Sequence, residues 1–364
     1  MKILWLTNIP SPYRIEFFNE LGNNLELTVL FERNSSSERD SSWENNEFEN
    51  FNGIVLKGKN IGVDKAISFN VLSYIKKNRY DHIVVSNPLT PTGIIAISYM
   101  KLMKVKYIIE TDGGFPKTGK GLKELFKKIV YRNANLYMST GQIHDQYYML
   151  YGAEKNKIFH YPFTSIRDKD IIVSPVSIEE KYKYRKALGL QGEQIILSVG
   201  RFVYEKGFDV LIEAAKNLPD NYIVYIVGGT PTFEYLELIK KHKITNIYFR
   251  EFVDPSILNK YYRASDLFVL PTRGDVWGLV INEAMARGLP IITTDKCIAG
   301  TELVEDGENG YLVNVNDVSA LQDAITKVTQ NSELKMNMSK NSLNRIKKYT
   351  IETMVKKHIE VFRK

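Results

Sequence analysis

The stretch Gly274-Asp275-Val276-Trp277-Gly278-Leu279-Val280-Ile281-Asn282-Glu283-Ala284-Met285-Ala286-Arg287-Gly288-Leu289-Pro290 constrains the fold more than any other part of this chain. It follows a short apolar run, Leu267-Phe268-Val269-Leu270-Pro271, and precedes another, Ile291-Ile292-Thr293-Thr294. Buried strand, glycine-rich loop, helix, stop at Gly288-Leu289-Pro290, strand: the order predicts a βαβ unit. Asp275 lies in the loop and Glu283 about two turns into the helix, with seven residues between them. The backbone N–H groups around Gly278, Leu279 and Val280 fall at the helix start. Their orphan donors and the helix dipole point the same way, which favours a phosphate. The unit offers a diphosphate seat with an acid near each end. The plainer alternative is an ordinary Rossmann-like unit with surface acids.

A second loop follows the run Gln194–Val199. It reads Ser198-Val199-Gly200-Arg201-Phe202-Val203-Tyr204-Glu205-Lys206-Gly207, and a helical face of Phe208, Leu211, Ile212 and Ala215 begins after it. The loop is short, so Arg201 and Lys206 project into the same space above a strand end. Two fixed cations there can hold a diphosphate and neutralise the charge that grows on it when it departs as a leaving group. Taken alone, the loop is equally well explained as a solvated basic turn.

The 364 residues suffice for two ordinary domains. Apolar runs alternate with helical patterns throughout, which predicts parallel sheets with helices on both faces. In the first half the runs 3–6, 25–30, 82–86, 105–109 and 136–139 read as strands, and 13–21, 67–78, 91–103 and 121–133 as helices. In the second half 194–199, 222–227, 247–249, 267–270, 291–294 and 310–313 read as strands. Residues 34–50 read as a polar surface loop and 165–177 as an interdomain linker. Met1–Thr7 reads as a first buried strand rather than a secretory signal. The single cysteine, Cys297, excludes an internal disulfide, fits a reducing compartment and reads as a small loop residue.

The two motifs together resemble the retaining glycosyltransferases of family 4, which have the GT-B fold: α/β, with two Rossmann-like domains facing each other across a cleft. Asp275 and Glu283 stand where that family has its Glu-x7-Glu signature, with Asp in place of the first Glu. Pro271-Thr272, the Gly-Leu-Val turn, Glu283-Ala284-Met285-Ala286, Gly300-Thr301-Glu302-Leu303-Val304 and Asp306-Gly307-Glu308-Asn309-Gly310 also fall in place. Gly200, Arg201 and Lys206 match the Gly-Arg-x4-Lys-Gly motif.

The resemblance implies an acceptor-binding domain over residues 1–168, a nucleotide-sugar-binding domain over 169–345, and a helix in 346–364 that crosses back to the first. It implies Arg201 and Lys206 on the leaving diphosphate, Glu283 on the ribose hydroxyls and Asp275 on the transferred sugar. Gly228-Gly229 would lie near the nucleotide, and Phe252-Val253 would frame the base. On the acceptor side Glu110-Thr111-Asp112 replaces the family's His, so Asp112 is the candidate for orienting a hydroxyl. Asn8-Ile9-Pro10-Ser11-Pro12-Tyr13-Arg14 replaces the usual glycine-rich loop, with Arg14 toward phosphate or acceptor. This N-terminal half is similar to enzymes of bacterial capsule, exopolysaccharide or O-antigen assembly. The expected activity is therefore retaining transfer of a sugar from a nucleotide-diphosphate sugar, UDP foremost, to a carbohydrate acceptor on an undecaprenyl diphosphate carrier. No cofactor and no metal are expected: the five histidines lack metal spacing, and Asp168-Lys169-Asp170 falls in the linker. A sugar-nucleotide epimerase of GT-B architecture and a non-catalytic subunit of a polysaccharide assembly complex are the two rivals.

Charge is unevenly placed. The chain carries a formal +7, yet residues 51–150 hold 15 Lys/Arg against 6 Asp/Glu. Without aromatic stacking motifs or a nucleic-acid-binding fold, nucleic acid is not the expected partner. An anionic membrane face or a diphosphate-bearing acceptor is the better fit, and the expected location is the cytoplasm, with a peripheral place on the inner face of the membrane if the first holds. Within 121–133, Leu122, Leu125, Phe126, Ile129 and Val130 share one helical face, with Lys120, Lys123, Lys127, Lys128 and Arg132 around the other. The expectation is that the apolar face packs on its own sheet and the lysines meet headgroups.

Overall fold

The computed structural model describes residues 1–34, 48–61, 65–77, 80–117, 119 and 121–364. Most of the polar segment expected as a surface loop, residues 35–47, lies outside that set, as does Lys120. The described chain forms two compact units, Met1–Ser165 with Thr350–Lys364, and Ile166–Tyr349. Among the described residues no helix is long and apolar enough to cross a membrane.

The first unit is built on a seven-stranded sheet, paired parallel throughout. Its order is Asn52–Val55, Glu26–Phe31, Lys2–Thr7, His82–Val85, Ile108–Glu110, Leu136–Ser139, Ile158–His160. The central strand is apolar on both faces, with Ile3, Leu4, Trp5 and Leu6 at most 2% exposed, as a parallel strand covered by helices must be. The two outer strands were not expected. Both are edge strands, half-exposed and mixed in polarity, so neither shows the continuous apolar run of a central parallel strand. The helix Pro12–Gly22 has proline in its first turn, where a missing N–H costs nothing.

The last helix, Ile351–Phe362, belongs to this unit and packs on Pro12–Gly22. His358 sits among Trp5, Phe17 and Tyr161, with ring centroids 5.6, 4.8 and 4.8 Å away. Its Nδ1 donates to the Met354 carbonyl at 2.8 Å, while Nε2 is buried with no hydrogen-bond partner among the described residues. Burial lowers His358 to about 3, and does the same to His144. An unfolded histidine titrates near 6.5, so between those values the folded chain binds fewer protons than the unfolded one. Stability present above about pH 6.5 is therefore lost as pH falls toward 3. We expect His358→Leu to flatten the pH dependence of urea unfolding between pH 6 and 4, by up to about 1.4 kcal/mol per pH unit. An unchanged slope would remove His358 from the acid response.

The helix Leu122–Tyr131 departs from expectation. Only Val130 and Tyr131 are buried, while Leu122, Leu125, Phe126 and Ile129 are 85, 56, 45 and 51% exposed. The side turned toward the protein is the polar one: Lys127 donates to the Tyr151 hydroxyl at 3.2 Å, and that hydroxyl donates to Glu124. Tyr151, packed in a cluster with Tyr131 and Tyr147, supplies the hydroxyl that satisfies these charges, so the apolar stripe is left outside.

The second unit holds a six-stranded parallel sheet in the order Ile247–Arg250, Tyr222–Val227, Gln194–Val199, Leu267–Leu270, Ile291–Thr294, Gly310–Val313. The core on one face of the sheet is a block of mainly Ile, Leu, Val and Phe, including Ile196, Phe208, Leu211, Val224, Val269 and Ile325. The strand order reverses between Gln194–Val199 and Leu267–Leu270. Chain leaving those two carboxyl ends turns to opposite faces, and ligands of open α/β sheets bind at such a switch point. The loops that leave there are the two singled out from the sequence. The first unit has the equivalent reversal between Lys2–Thr7 and His82–Val85.

Candidate active site

At the second unit's switch point the two loops are tied together. Glu205 offers its carbonyl both to the Thr272 hydroxyl and to the Arg273 amide, each at 2.7 Å. Arg273 stacks on the Tyr204 ring at 4.1 Å and donates to the Tyr204 carbonyl and to Asp209, each at 2.8 Å. Gly207 lies between them with φ +67°, and a Cβ there would meet the Pro271 carbonyl at 2.1 Å. Only glycine permits that approach, which explains the Lys-Gly pair ahead of the helix Phe208–Ala215.

This bracing sets Lys206 Nζ 2.5 Å from Asp275 Oδ2. Both side chains keep just under a fifth of their surface exposed, so the pair is accessible yet partly desolvated. Arg201 is exposed on the same loop. Gly200 starts that loop, its amide held by the Val227 carbonyl at 2.9 Å.

Asp275 is fixed from behind. Its amide donates to the Lys296 carbonyl at 2.8 Å. Gly278, at φ +100°, caps the helix Leu279–Ala286, and a Cβ there would lie 2.7 Å from Cys297 Sγ. Cys297 is thus a packing residue: it is buried, its thiol donates to the Trp277 carbonyl at 3.0 Å, and burial together with the Asp275 charge pushes it up to about 12. Leu279 and Val280 open the helix, where amides have no acceptor within the helix. One turn on, Glu283 Oε2 accepts from the Tyr262 hydroxyl at 2.8 Å. Burial, and then the Glu283 charge, hold Tyr262 well above the usual phenol range, so it stays a donor and fixes the carboxylate's orientation.

The remaining donor-side candidates surround the neighbouring strand ends. Gly228 and Gly229 follow Tyr222–Val227, and both amides donate to the Arg250 carbonyl, at 3.0 and 3.4 Å. Those two N–H groups are committed to the sheet end. Phe252 and Val253 follow Ile247–Arg250, with Phe252 55% exposed.

In the first unit, Arg14 and Asp112 meet in a network the sequence did not reveal, organised by Glu110. Glu110 is the last residue of its strand and fully buried. Arg14 grips it with both guanidinium nitrogens, at 3.0 and 3.2 Å, and also pairs with Asp112. Tyr161 and Ser86 donate to Glu110 at 2.6 and 2.7 Å, and Tyr13 donates to Asp112 at 3.0 Å. Arg14 is 3% exposed, so its fork is committed to carboxylates rather than displayed on a surface. Burial raises the Asp112 carboxyl, against the pull of Arg14. Asp112 is the member at the rim, with its side chain 35% exposed.

A cavity of about 300 Å³ in the second unit lies at the opposite, amino-terminal end of the strands. It contains a structural ion cluster: Asp266 binds Lys181 at 2.8 Å and Arg185 at 2.6 Å. Burial alone would raise this carboxyl, but Lys181, Arg185 and Lys335 hold it below the ordinary range. The loops that carry the site leave the other end of these strands.

Residues 180–345 match the family described as glycosyl transferases group 1. An uncharacterized glycosyltransferase of Methanocaldococcus jannaschii is 27% identical over 331 residues, spanning 83% of this chain and 92% of that protein. The N,N'-diacetylbacillosaminyl-diphospho-undecaprenol alpha-1,3-N-acetylgalactosaminyltransferase of Campylobacter jejuni is 21% identical over 281 residues, spanning 74% of this chain and 73% of that protein. Among solved structures, Anabaena HepE in complex with UDP superposes with a TM-score of 0.79 at 16% identity, covering 100% of both chains. The same protein in complex with UDP-glucose gives 0.76 at 16% identity, covering 100% of this chain and 99% of that one.

Proposed function

We propose that this chain, a glycosyltransferase with the GT-B fold, moves a sugar from a UDP-sugar to a hydroxyl of a lipid-linked carbohydrate with retention of anomeric configuration. The observation that carries the reading is the ion pair of Lys206 with Asp275 beside a helix start, at the switch point of the second sheet. A diphosphate seated there accepts from Lys206, Arg201 and the opening amides of Leu279–Ala286, and displaces Asp275 toward the sugar. Glu283, oriented by Tyr262, takes the ribose hydroxyls. As the bond between the anomeric carbon and the diphosphate oxygen breaks, negative charge grows on the leaving group, where fixed cations stabilise it most. The acceptor oxygen bonds to the anomeric carbon on the face that the diphosphate leaves, and its proton passes to the departing phosphate oxygen.

HepE, bound to UDP and to UDP-glucose, supports the choice of donor. The Campylobacter relative, whose name includes a diphospho-undecaprenol, supports a lipid-linked acceptor; surface polysaccharide assembly at the inner face of the membrane is part of the same proposal. Relatives named as glycosyltransferases favour transfer over epimerisation and over a purely structural subunit. The test is a panel of nucleotide sugars scored for release of nucleotide diphosphate, followed by NMR of the product's anomeric centre. An inverted product, or a donor epimerised without acceptor, would defeat the reading. Because basic side chains and a helix terminus carry the diphosphate charge here, we also expect activity to survive EDTA. Full loss on chelation, restored by manganese or magnesium, would require a metal-bound diphosphate instead.

A further inference from the structure

The cavity of about 300 Å³ at the amino-terminal end of the second sheet lies wholly within the second unit, and its charges do not balance. Two helices bring cations to it. Lys181 and Arg185 stand one turn apart on Ile178–Leu188, and Lys335 stands on Ser332–Ile346. All three converge on Asp266, the residue before the strand Leu267–Leu270. That carboxylate is already engaged on both oxygens: Oδ1 accepts from Lys181 at 2.8 Å, and Oδ2 accepts from Arg185 at 2.6 Å and from the Ile195 amide at 2.8 Å. Lys335 Nζ is left 3.8 Å from Oδ1, beyond hydrogen-bond reach. It donates instead to the neutral side-chain oxygen of Gln194 at 2.7 Å. The other acid on the lining, Glu193, is exposed and accepts from Asn221 at 2.8 Å. Three cations therefore share one carboxylate, and Lys335, with three N–H donors, has capacity for a further acceptor. Burial holds Lys335 below its ordinary range, and Lys181 and Arg185 push it further down against the pull of Asp266. A largely buried cation without an anion of its own is costly, and a bound anion relieves that cost.

The rest of the wall is largely apolar. Val176, Ile178, Leu289 and Met336 line it, and Ile178 and Met336 are also 88 and 45% exposed. We propose that this cavity binds a small amphipathic organic anion, whose carboxylate or phosphate monoester head meets Lys335 and Lys181 while its apolar body lies against Val176, Leu289 and Met336. Both features of the wall select the occupant. An inorganic anion leaves the apolar surface unused, and a neutral apolar molecule leaves the excess charge unanswered. The volume is at the small end for ligand sites, which fits a metabolite rather than a segment of another chain. The loops that carry Lys206 and Asp275 leave the opposite end of these strands. The site is therefore separate from the proposed donor site, and the inference does not rest on the transferase reading.

Calorimetric titration of the full chain with hexanoate, hexyl phosphate, hexanol and inorganic phosphate tests this directly. At least one of the two amphipathic anions should bind saturably, about tenfold or more tighter than hexanol or inorganic phosphate. The tighter of the two identifies the head group as carboxylate or phosphate monoester. Lys335→Gln removes the unmatched cation and leaves Asp266 its contacts with Lys181, Arg185 and Ile195, so thermal unfolding should stay close to that of the wild type. Met336→Asp sets a like charge on an exposed part of the wall. Each variant should weaken binding of the anion about tenfold or more and bind UDP as the wild type does. Nuclear Overhauser contacts between the Met336 methyl and the hexyl chain should place the apolar body. Saturating UDP should leave the affinity for the anion unchanged. The proposal would be overturned by the absence of saturable binding for both anions, by displacement of the bound anion by UDP, or by undiminished binding in Met336→Asp or in folded Lys335→Gln. A wild-type chain that binds the anion at Met336 but does not bind UDP would sink the transferase reading and leave the cavity site in place.

Discussion

Lys206→Ala should lower the transfer rate about 100- to 1000-fold while leaving thermal unfolding close to that of the wild type. In the proposed reaction the cation faces the position where charge develops on the leaving diphosphate. Loss of one such contact in a partly desolvated site costs about 3–4 kcal/mol of barrier stabilisation. The effect on ground-state UDP affinity should be smaller, because in the same proposal the unreacted diphosphate also contacts Arg201 and the Leu279–Ala286 helix start. A fall in kcat that exceeds the change in UDP binding is therefore the expected signature. Lys206→Arg should recover only part of the rate. A planar fork cannot occupy the position of a point charge set 2.5 Å from Asp275. Stability should hold because the loop is braced by Gly207, Thr272 and Arg273 rather than by the lysine. Near-wild-type turnover in Lys206→Ala would remove the diphosphate from this loop. A matching loss of folding stability would instead make the ion pair a structural tie.

What could be read in advance follows from where information lies along the chain. The second sheet was legible because its four inner strands are short apolar runs bounded by turn residues, as burial on both faces demands. The proximity of Lys206 and Asp275 was legible only indirectly. Each lies just beyond a strand end, and the strand order that sets the two ends side by side is a property of the sheet. Edge strands such as Asn52–Val55 escaped because exposure removes the apolar signal. The helix Leu122–Tyr131 was found, but its orientation was reversed. Periodicity identifies an apolar stripe and says nothing of which side the protein can satisfy, and here Tyr151 lies outside that window. Glu110 was passed over for a similar reason. A carboxylate at a strand end looks like a loop acid until its partners Arg14, Ser86 and Tyr161 are brought in from 96, 24 and 51 residues away.

That carboxylate gives the largest expected effect on stability. Arg14→Leu should destabilise the first unit by about 3–5 kcal/mol at neutral pH, because it leaves the fully buried Glu110 and the Asp112 at the rim without their shared cation. The loss should depend on pH in a defined direction. With Arg14 present, burial already raises Asp112. Without it, the Asp112 carboxylate loses the cation that opposes this rise and gains relief by taking up a proton in the folded state. A folded-state acid raised above its unfolded value contributes stability at low pH and loses it as pH rises. The deficit of Arg14→Leu relative to the wild type should therefore be smallest near pH 4 and grow as pH rises, reaching its full size once the folded-state Asp112 carboxyl has ionised. Adding Glu110→Gln to Arg14→Leu removes one of the stranded charges and keeps a group that can still hydrogen-bond Ser86 and Tyr161. The double variant should recover part of the lost stability at pH 8 and little at pH 4. Urea unfolding of the three chains across this range, followed by fluorescence of Trp5, which donates to Ser86 at 2.7 Å, reads the unit that carries the network. A deficit independent of pH would mean that Arg14 acts through packing against Tyr13 and Phe163 rather than through its charge.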